Sequence, residues 1–432
     1  MRRTALIVGV LVLMTGTTTI AEASPARRAA RVIRVPQDVK TIQAAVDDAT
    51  PGTLVLVSRG VYREGVTVRS RHRNIVIRGV DREHTILDGE FRNEPGRANG
   101  FKVLADGVAI ENITARNFLT NGFLWSGVDG YRGSYLTAIR NGDYGIYAFD
   151  SVHGQFDHSF AQGSPDAGFY IGQCQPCDAL IVDVESEWNG LGYSGTNAGG
   201  DLVIARSAFH DNRAGVVPNS GSYEKLAPER QTTIVGNHVY NNGNGRTAAI
   251  EIARVATGNG ILLAGGNDNV VERNLVTGHD AIGIGAVPLP ERALTPDNPD
   301  AVDFDARDNT VRGNELSANG YDLVAVTNIT DSGDGGGNCF ADNDYTISAP
   351  PDIEAVLPCR GAAAAGFVAD IGLLSDTFLA EKPPSADYET VDLPPPPALA
   401  SMPKATTATA RPATHEPSIE VDVDALQVPT GA

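Results

Sequence analysis

Positive charge is what this sequence is short of. Its 34 Lys and Arg stand against 53 Asp and Glu, a formal charge of −19, and such a surface repels phosphate backbones and anionic lipid. Nucleic acid and membrane surfaces are excluded as partners on that ground, and a polyanionic substrate would need a local basic patch or a bridging cation such as Ca²⁺. Cysteine is scarce too, with four residues in all, Cys174, Cys177, Cys339 and Cys359. A structural zinc site takes four ligands, and no second Cys-x-x-Cys or His-x-x-x-His stands beside the Cys174/Cys177 pair to complete one. The three methionines are few, and His153, His158, His210, His238 and His279 are isolated in sequence, mostly at turns. Metal handling is therefore disfavoured, and no metal ligand or certain cofactor is assigned. Beyond the N-terminus no apolar run is long enough to span a bilayer.

Arg2-Arg3, an apolar stretch from Ala5 to Met14 and the small-residue end Ala21-Glu22-Ala23 read as a signal peptide over residues 1–23, with the mature chain starting near Ser24. This predicts a secreted protein, extracellular or associated with the cell wall. An oxidising compartment preserves disulfides, so Cys174–Cys177 and Cys339–Cys359 are expected bridges, with a metal or redox role at Cys174/Cys177 as the rival reading.

Glycine is abundant, with 47 residues, and Asn-Gly pairs recur at Asn121, Asn141, Asn189, Asn242 and Asn319. These are tight-turn signals between short Val/Ile runs, so the fold class is all-β. Ile42, Ala45, Val46 and Ala49 recur at helical spacing, predicting a short capping helix over Thr41 to Ala49. From Gly107 onward polar-then-apolar segments repeat, as at Asn112-Ile113-Thr114, Ser134-Tyr135-Leu136, His158-Ser159-Phe160, Ser207-Ala208-Phe209, Asn237-His238-Val239, Asn274-Leu275-Val276 and Asn314-Glu315-Leu316. The tighter intervals, roughly 22 residues, are the length of one solenoid coil. The predicted β-helix spans 24–382. Residues 383–432, rich in Pro, Ala and Thr, have too little apolar content to fold and read as a disordered tail. Asn112 and Asn328 open glycosylation sequons.

Thr41-Ile42-Gln43-Ala44-Ala45-Val46 and Gly60-Val61-Tyr62-Arg63-Glu64, within Val32 to Gly89, resemble the opening of pectin methylesterases and other pectate-lyase-like proteins. The resemblance implies a right-handed parallel β-helix, a solenoid. The later methylesterase motifs, Gln-Asp-Thr-Leu, Asp-Phe-Ile-Phe-Gly and Leu-Gly-Arg-Pro-Trp, are absent. The remaining coils resemble the generic right-handed β-helix family, which includes mannuronan C5-epimerases, uronate lyases and a periplasmic copper-enzyme maturation protein. Gly168-Phe169 matches the start of the epimerase Gly-Phe-Asp-Pro-His, but Tyr170, Ile171 and Gly172 replace its reactive residues.

Lyase chemistry needs a base for the C5 proton and a cation or Arg to stabilise the enolate. Arg213 and Arg254, with Arg206 and Lys225 beside them, are the basic candidates. Asp166 and Asp201, with Asp178 and Asp183, are candidate base or Ca²⁺ ligands. Aligning the apolar run after each turn puts Asp150, Gln173, Asn197 and Asn219 in one polar file. Tyr147, Tyr170 and Tyr193 are expected on the same face. Aromatic faces and amides suit sugar rings, and an amide ladder that merely stabilises the solenoid would look the same. Three stretches break the period, Pro218 to Arg230, Asn241 to Asn259 and Ala286 to Asp308, and are expected to project as loops, neutral or functional. The chain is expected to bind an extracellular polysaccharide and to cleave it by β-elimination, or else to serve as a non-catalytic surface or wall scaffold. The oligomeric state is left open.

Overall fold

A computed structural model of the 432-residue chain describes residues 31–326, 335–361 and 370–431. The signal-peptide reading and the Asn328 sequon lie outside them. Strands of two to seven residues stack into three sheets, and each coil gives one strand to each in turn. Sheet A has 12 strands, from Val32–Val35 to Cys339–Ala341; sheet B has 10, from Gly60–Tyr62 to Glu315–Ser317; sheet C has 11, from Val66–Val68 to Ser348–Ala349. Pairing between successive coils is parallel throughout the named strands, so the architecture is a β-helix. Phe101, Phe123 and Ile146 are in register, 22 and then 23 residues apart, close to the expected coil length.

Strand side chains alternate, so one residue of each pair enters the core. In sheet C the inward file runs Phe101, Phe123, Ile146, Phe169, Tyr193, Val216, all fully buried. Opposite it in sheet B stand Ala115, Ala138, Ala161 and Ser186, small residues that leave room for those rings. The largest buried side chain, Trp125, has its space from Gly133 of sheet A. A Cβ at Gly133 would lie 3.2 Å from the indole Cη2 and 2.8 Å from Leu136 Cδ1.

The turns carry a second organising device. Asn237, Asn274, Asn314 and Asn343 stack coil on coil. Each side-chain oxygen accepts from the backbone N–H of the preceding member, at 2.9, 2.9 and 3.0 Å, and Glu354 caps the file at Asn343 N, 2.8 Å away. These ladders satisfy buried corner N–H groups that no sheet partner reaches. Asn274→Ala would leave Asn237 N–H and its amide without their acceptor and remove the bonds that Asn274 donates to Ile234 O and to Asn314 Oδ1. A loss of about 2–3 kcal/mol is expected, read as a shift of the thermal midpoint.

Both ends are closed. Helix Ile42–Asp47 is slightly shorter than expected, with Thr41 as its cap and Ile42, Ala45 and Val46 buried. The Glu64 carboxylate accepts from Ile42 N and Gln43 N at 2.9 and 3.0 Å. At the far end, helix Ile353–Val356 packs beside the last sheet A strand, which the Cys339–Cys359 disulfide ties down; Cys174–Cys177 is also bridged. The Asn112 sequon is buried, with Nδ2 donating to Gly79 O.

From 383 to 431 the chain has no strand and a single short 3-10 turn, Val423–Ala425, in keeping with its composition. It does not stand free of the coils, however. Its backbone carbonyls accept from solenoid arginines: Pro383 and Pro384 from the buried Arg213, Ala405, Ala408 and Thr409 from the buried Arg78, and Val423 from the partly exposed Arg273. A sequence too polar to make its own core is held as a strap by donors of another.

Candidate functional site

All three period-breaking stretches rise on the outer side of sheet C. The first carries Tyr223 and Glu224, the second helix Glu251–Val255, the third helix Glu291–Leu294. They are tied together and to the sheet. Ser222 donates to Glu291 from its N at 3.1 Å and its Oγ at 2.8 Å, and the Tyr170 hydroxyl donates to Glu224 Oε1 at 2.7 Å. Between the loops lies a cavity of about 480 Å³, lined among others by Tyr223, Glu251, Leu289, Glu291 and Thr295.

Beside this cavity, Tyr147 and Tyr170 are register partners on the outer face of sheet C. Tyr144 stacks on Tyr147 with ring centroids 4.3 Å apart, and both meet Tyr170 edge-on at 5.0 and 4.7 Å. Four acids share the patch. Burial raises Glu224 to about 7, the Tyr170 hydrogen bond opposing it, and raises Asp143 to about 6, with Glu251 adding. Burial, then the Asp143 charge, holds Asp166 well above the carboxylate range, and its Oδ1 has no hydrogen-bond partner. Within this acidic patch among phenol rings, Glu224 is the carboxyl raised into the range where it can donate a proton near neutral pH.

The expected polar file is regrouped by register. Tyr193 pairs with Phe169 rather than Tyr170, points into the core and donates to Ile171 O. A shift of one residue moves a strand side chain to the opposite face. Asn219 pairs with Thr196, one place short of Asn197. Asp150, Gln173 and Asn197 stand at left-handed corners with φ near 50°. Gln173 accepts from Lys225 N at 2.9 Å, and Asn197 Nδ2 donates to Gly221 O and Glu224 O. Their amides thus pin the first loop, while Asp150 is exposed. Of the seven, Asn219 lines the cavity and the partly exposed Tyr147 lies beside it, while Tyr170 is fully buried and reaches the site through its hydrogen bond to Glu224.

The four catalytic candidates do not converge. Asp166 lies in the acid patch. Arg213 is fully buried and spends its guanidinium on the carbonyls of Gly245, Thr247, Pro383 and Pro384, so it anchors backbone. Arg254 is exposed on the second loop's helix, and Asp201 is exposed on sheet A, across the solenoid. The proposed Ca²⁺ ligands are likewise dispersed: Asp183 pairs with Arg206 at 2.7 Å, and Asp178 lies beside His153. Among the described residues, the His, Cys, Asp and Glu groups close enough to share an ion are Asp129–His153–His415 and Glu185–Glu187–His210.

Sequence reading passed over Asp143, Tyr144, Tyr223, Glu224 and Glu251. Asp143 was within reach, because Asp143-Tyr144-Gly145-Ile146-Tyr147 and Asp166-Ala167-Gly168-Phe169-Tyr170 are the same step in successive coils. The loop residues carry no repeat signal.

At the base of the first loop Glu229 is fully buried, accepting from Thr232 Oγ1 at 2.8 Å and Asn269 Nδ2 at 2.9 Å; burial raises it to about 8. The folded state keeps this proton while the unfolded chain releases it at the ordinary glutamate value of about 4.3. Its contribution is therefore complete below that value and is lost as pH climbs to about 8. Thermal midpoints measured from pH 4 to 9 should decline less in Glu229→Gln than in the wild type.

A family model described as a right-handed β-helix region matches residues 99–288. The A-module of mannuronan C-5 epimerase AlgE4 from Azotobacter vinelandii superposes with a TM-score of 0.50 at 16% identity, covering 71% of this chain and 90% of that one. An alginate lyase from Paenibacillus sp. str. FPU-7 gives 0.48 at 15% identity, with 68% and 97% covered. Pectate lyase Pel9A gives 0.41 at 15%, with 88% and 87% covered. No curated protein matches the chain by sequence. At such identities the likeness is one of architecture, and the chain has the fold of a right-handed parallel β-helix.

Proposed function

We propose that this chain is a secreted, carbohydrate-active β-helix that binds an extracellular polysaccharide along the tyrosine-lined side of sheet C and cleaves it with Glu224 as proton donor. The observation that carries the reading is the placement of Glu224, a carboxyl raised to about 7, against the Tyr170 hydroxyl beside the cavity the three loops enclose. The stacked, partly exposed Tyr144 and Tyr147 offer apolar faces for sugar CH groups. A site running across successive coils suits a polymer. The AlgE4 module, named for a polysaccharide substrate, supports the class.

Electrostatics favours one cleavage chemistry over the other. β-Elimination from a uronate develops negative charge and needs a cation beside it. Here Asp143, Asp166, Glu224 and Glu251 crowd together, and Arg213 is consumed by backbone carbonyls. Hydrolysis develops positive, oxocarbenium-like charge, which an acidic patch stabilises, and it begins with protonation of the leaving oxygen. A neutral glycan fits this patch directly; a polyuronate would need Ca²⁺ to bridge.

The test is a panel of neutral and uronate polysaccharides, with and without Ca²⁺, followed for new reducing ends and for the ultraviolet absorbance of unsaturated sugars. Reducing ends without absorbance support the proposal. Absorbance would replace hydrolysis by elimination, and neither signal nor binding on any glycan would leave the scaffold reading.

A further inference from the structure

Away from sheet C, three side chains converge where the C-terminal strap crosses sheet A. Asp129 opens the strand Asp129–Ser134, His153 stands in Val152–Asp157 one coil on, and His415 comes from the strap. His153 Nδ1 is 2.7 Å and His415 Nε2 is 3.1 Å from the same oxygen, Asp129 Oδ1. The two imidazoles are stacked, centroids 4.4 Å apart and planes 18° from parallel. The three ligand atoms all lie within 4.8 Å of one another.

A fourth residue fixes the chemistry of this group. Asp178, from the following coil, has Oδ2 3.3 Å from His153 Nε2. A carboxylate there accepts a hydrogen bond from Nε2–H, and in the tautomer this favours the Nδ1 lone pair faces Asp129 and His415. This carboxylate–histidine arrangement is how proteins orient imidazole metal ligands and raise their basicity. Two imidazoles and one carboxylate form a borderline donor set with one position left for water. Zn²⁺ accepts such a set, whereas Ca²⁺ requires six to eight oxygens.

We infer that Asp129, His153 and His415 bind a divalent ion of the zinc class, with Asp178 as the residue that positions His153. The ion joins two coils to the strap and clasps the C-terminal segment onto sheet A. This site is independent of the groove on sheet C and does not rest on its function. Sequence spacing could not reveal it, because its histidines are 262 positions apart (415 − 153) and only the strap's return path brings them together.

The experiment titrates the chelator-stripped full chain with Zn²⁺ alone by calorimetry, in the wild type, His415→Ala and Asp178→Asn. His415 is exposed, so its removal leaves the solenoid's packing intact. One equivalent is expected in the wild type. Affinity should drop on the order of 10–100-fold in Asp178→Asn, the scale of lost outer-shell partners, and at least as far in His415→Ala. A second readout is amide exchange over residues 410–420, which Zn²⁺ should slow in the wild type and leave unchanged in His415→Ala. Absence of saturable binding in the wild type, or wild-type affinity in His415→Ala, would overturn the proposal.

Discussion

Trp125→Ala should cost about 3–5 kcal/mol of stability, the range of large-to-small changes at fully buried aromatic sites. Trp125 is wholly enclosed, 5.6 Å from the Phe156 ring and 6.2 Å from that of Tyr131, and its Nε1 donates to Val108 O at 3.3 Å. Its volume is matched by a missing one, since Gly133 has no side chain to move into the vacated space. Parallel strands fixed by ladders on both sides cannot collapse around the hole, so the cavity term is retained in full. Denaturant midpoints of the variant and wild type measure the effect. An unchanged slope with a lowered midpoint is expected, because the folded coils stay in register; Trp125→Phe should lose much less.

Glu224→Gln should reduce turnover on the cleaved glycan by about 10²–10⁴-fold, the range spanned by general-acid contributions. Glutamine keeps the shape and still accepts from Tyr170, so binding should change little while the proton is gone. The pH dependence carries its own sign. Glu224 works protonated, so wild-type activity should be high below about 7 and fall as pH rises through that value. Tyr170 donates to the carboxylate and so favours its charged form. Tyr170→Phe should therefore move the falling limb to higher pH. A limb that persists in the residual activity of Glu224→Gln would assign the proton to Asp143, the neighbour raised to about 6.

Much of this molecule was readable because solenoid coils are local. Thr41 through Val46 announced the cap, the recurring Asn and Ser corners announced the coil, and Pro218 to Arg230, Asn241 to Asn259 and Ala286 to Asp308 announced the loops that border the groove. What failed was register. Placing Tyr193 beside Tyr170 overlooked that Tyr193 directly follows Gly192 whereas Tyr170 stands two residues after the aligned Gly168, and period-two alternation turns that small slip into the wrong face. Arg213 was misread for another reason: a buried guanidinium and a catalytic one look alike in sequence, and the carbonyls it holds come from 245–247 and 383–384. The path of the strap was invisible because nothing in a Pro/Ala/Thr segment states which surface will supply its hydrogen bonds.

A stack of coils in which each touches only its neighbours is a one-dimensional object, able to open one coil at a time from either end. The strap changes its mechanics. By bonding to Arg78 near one end, to Arg213 in the middle and to Arg273 toward the other, it lies parallel to the stack like a splint. Tension applied at the two ends would then be shared among distant coils, and rupture would come as one large event where an unsplinted solenoid would yield a series of small ones.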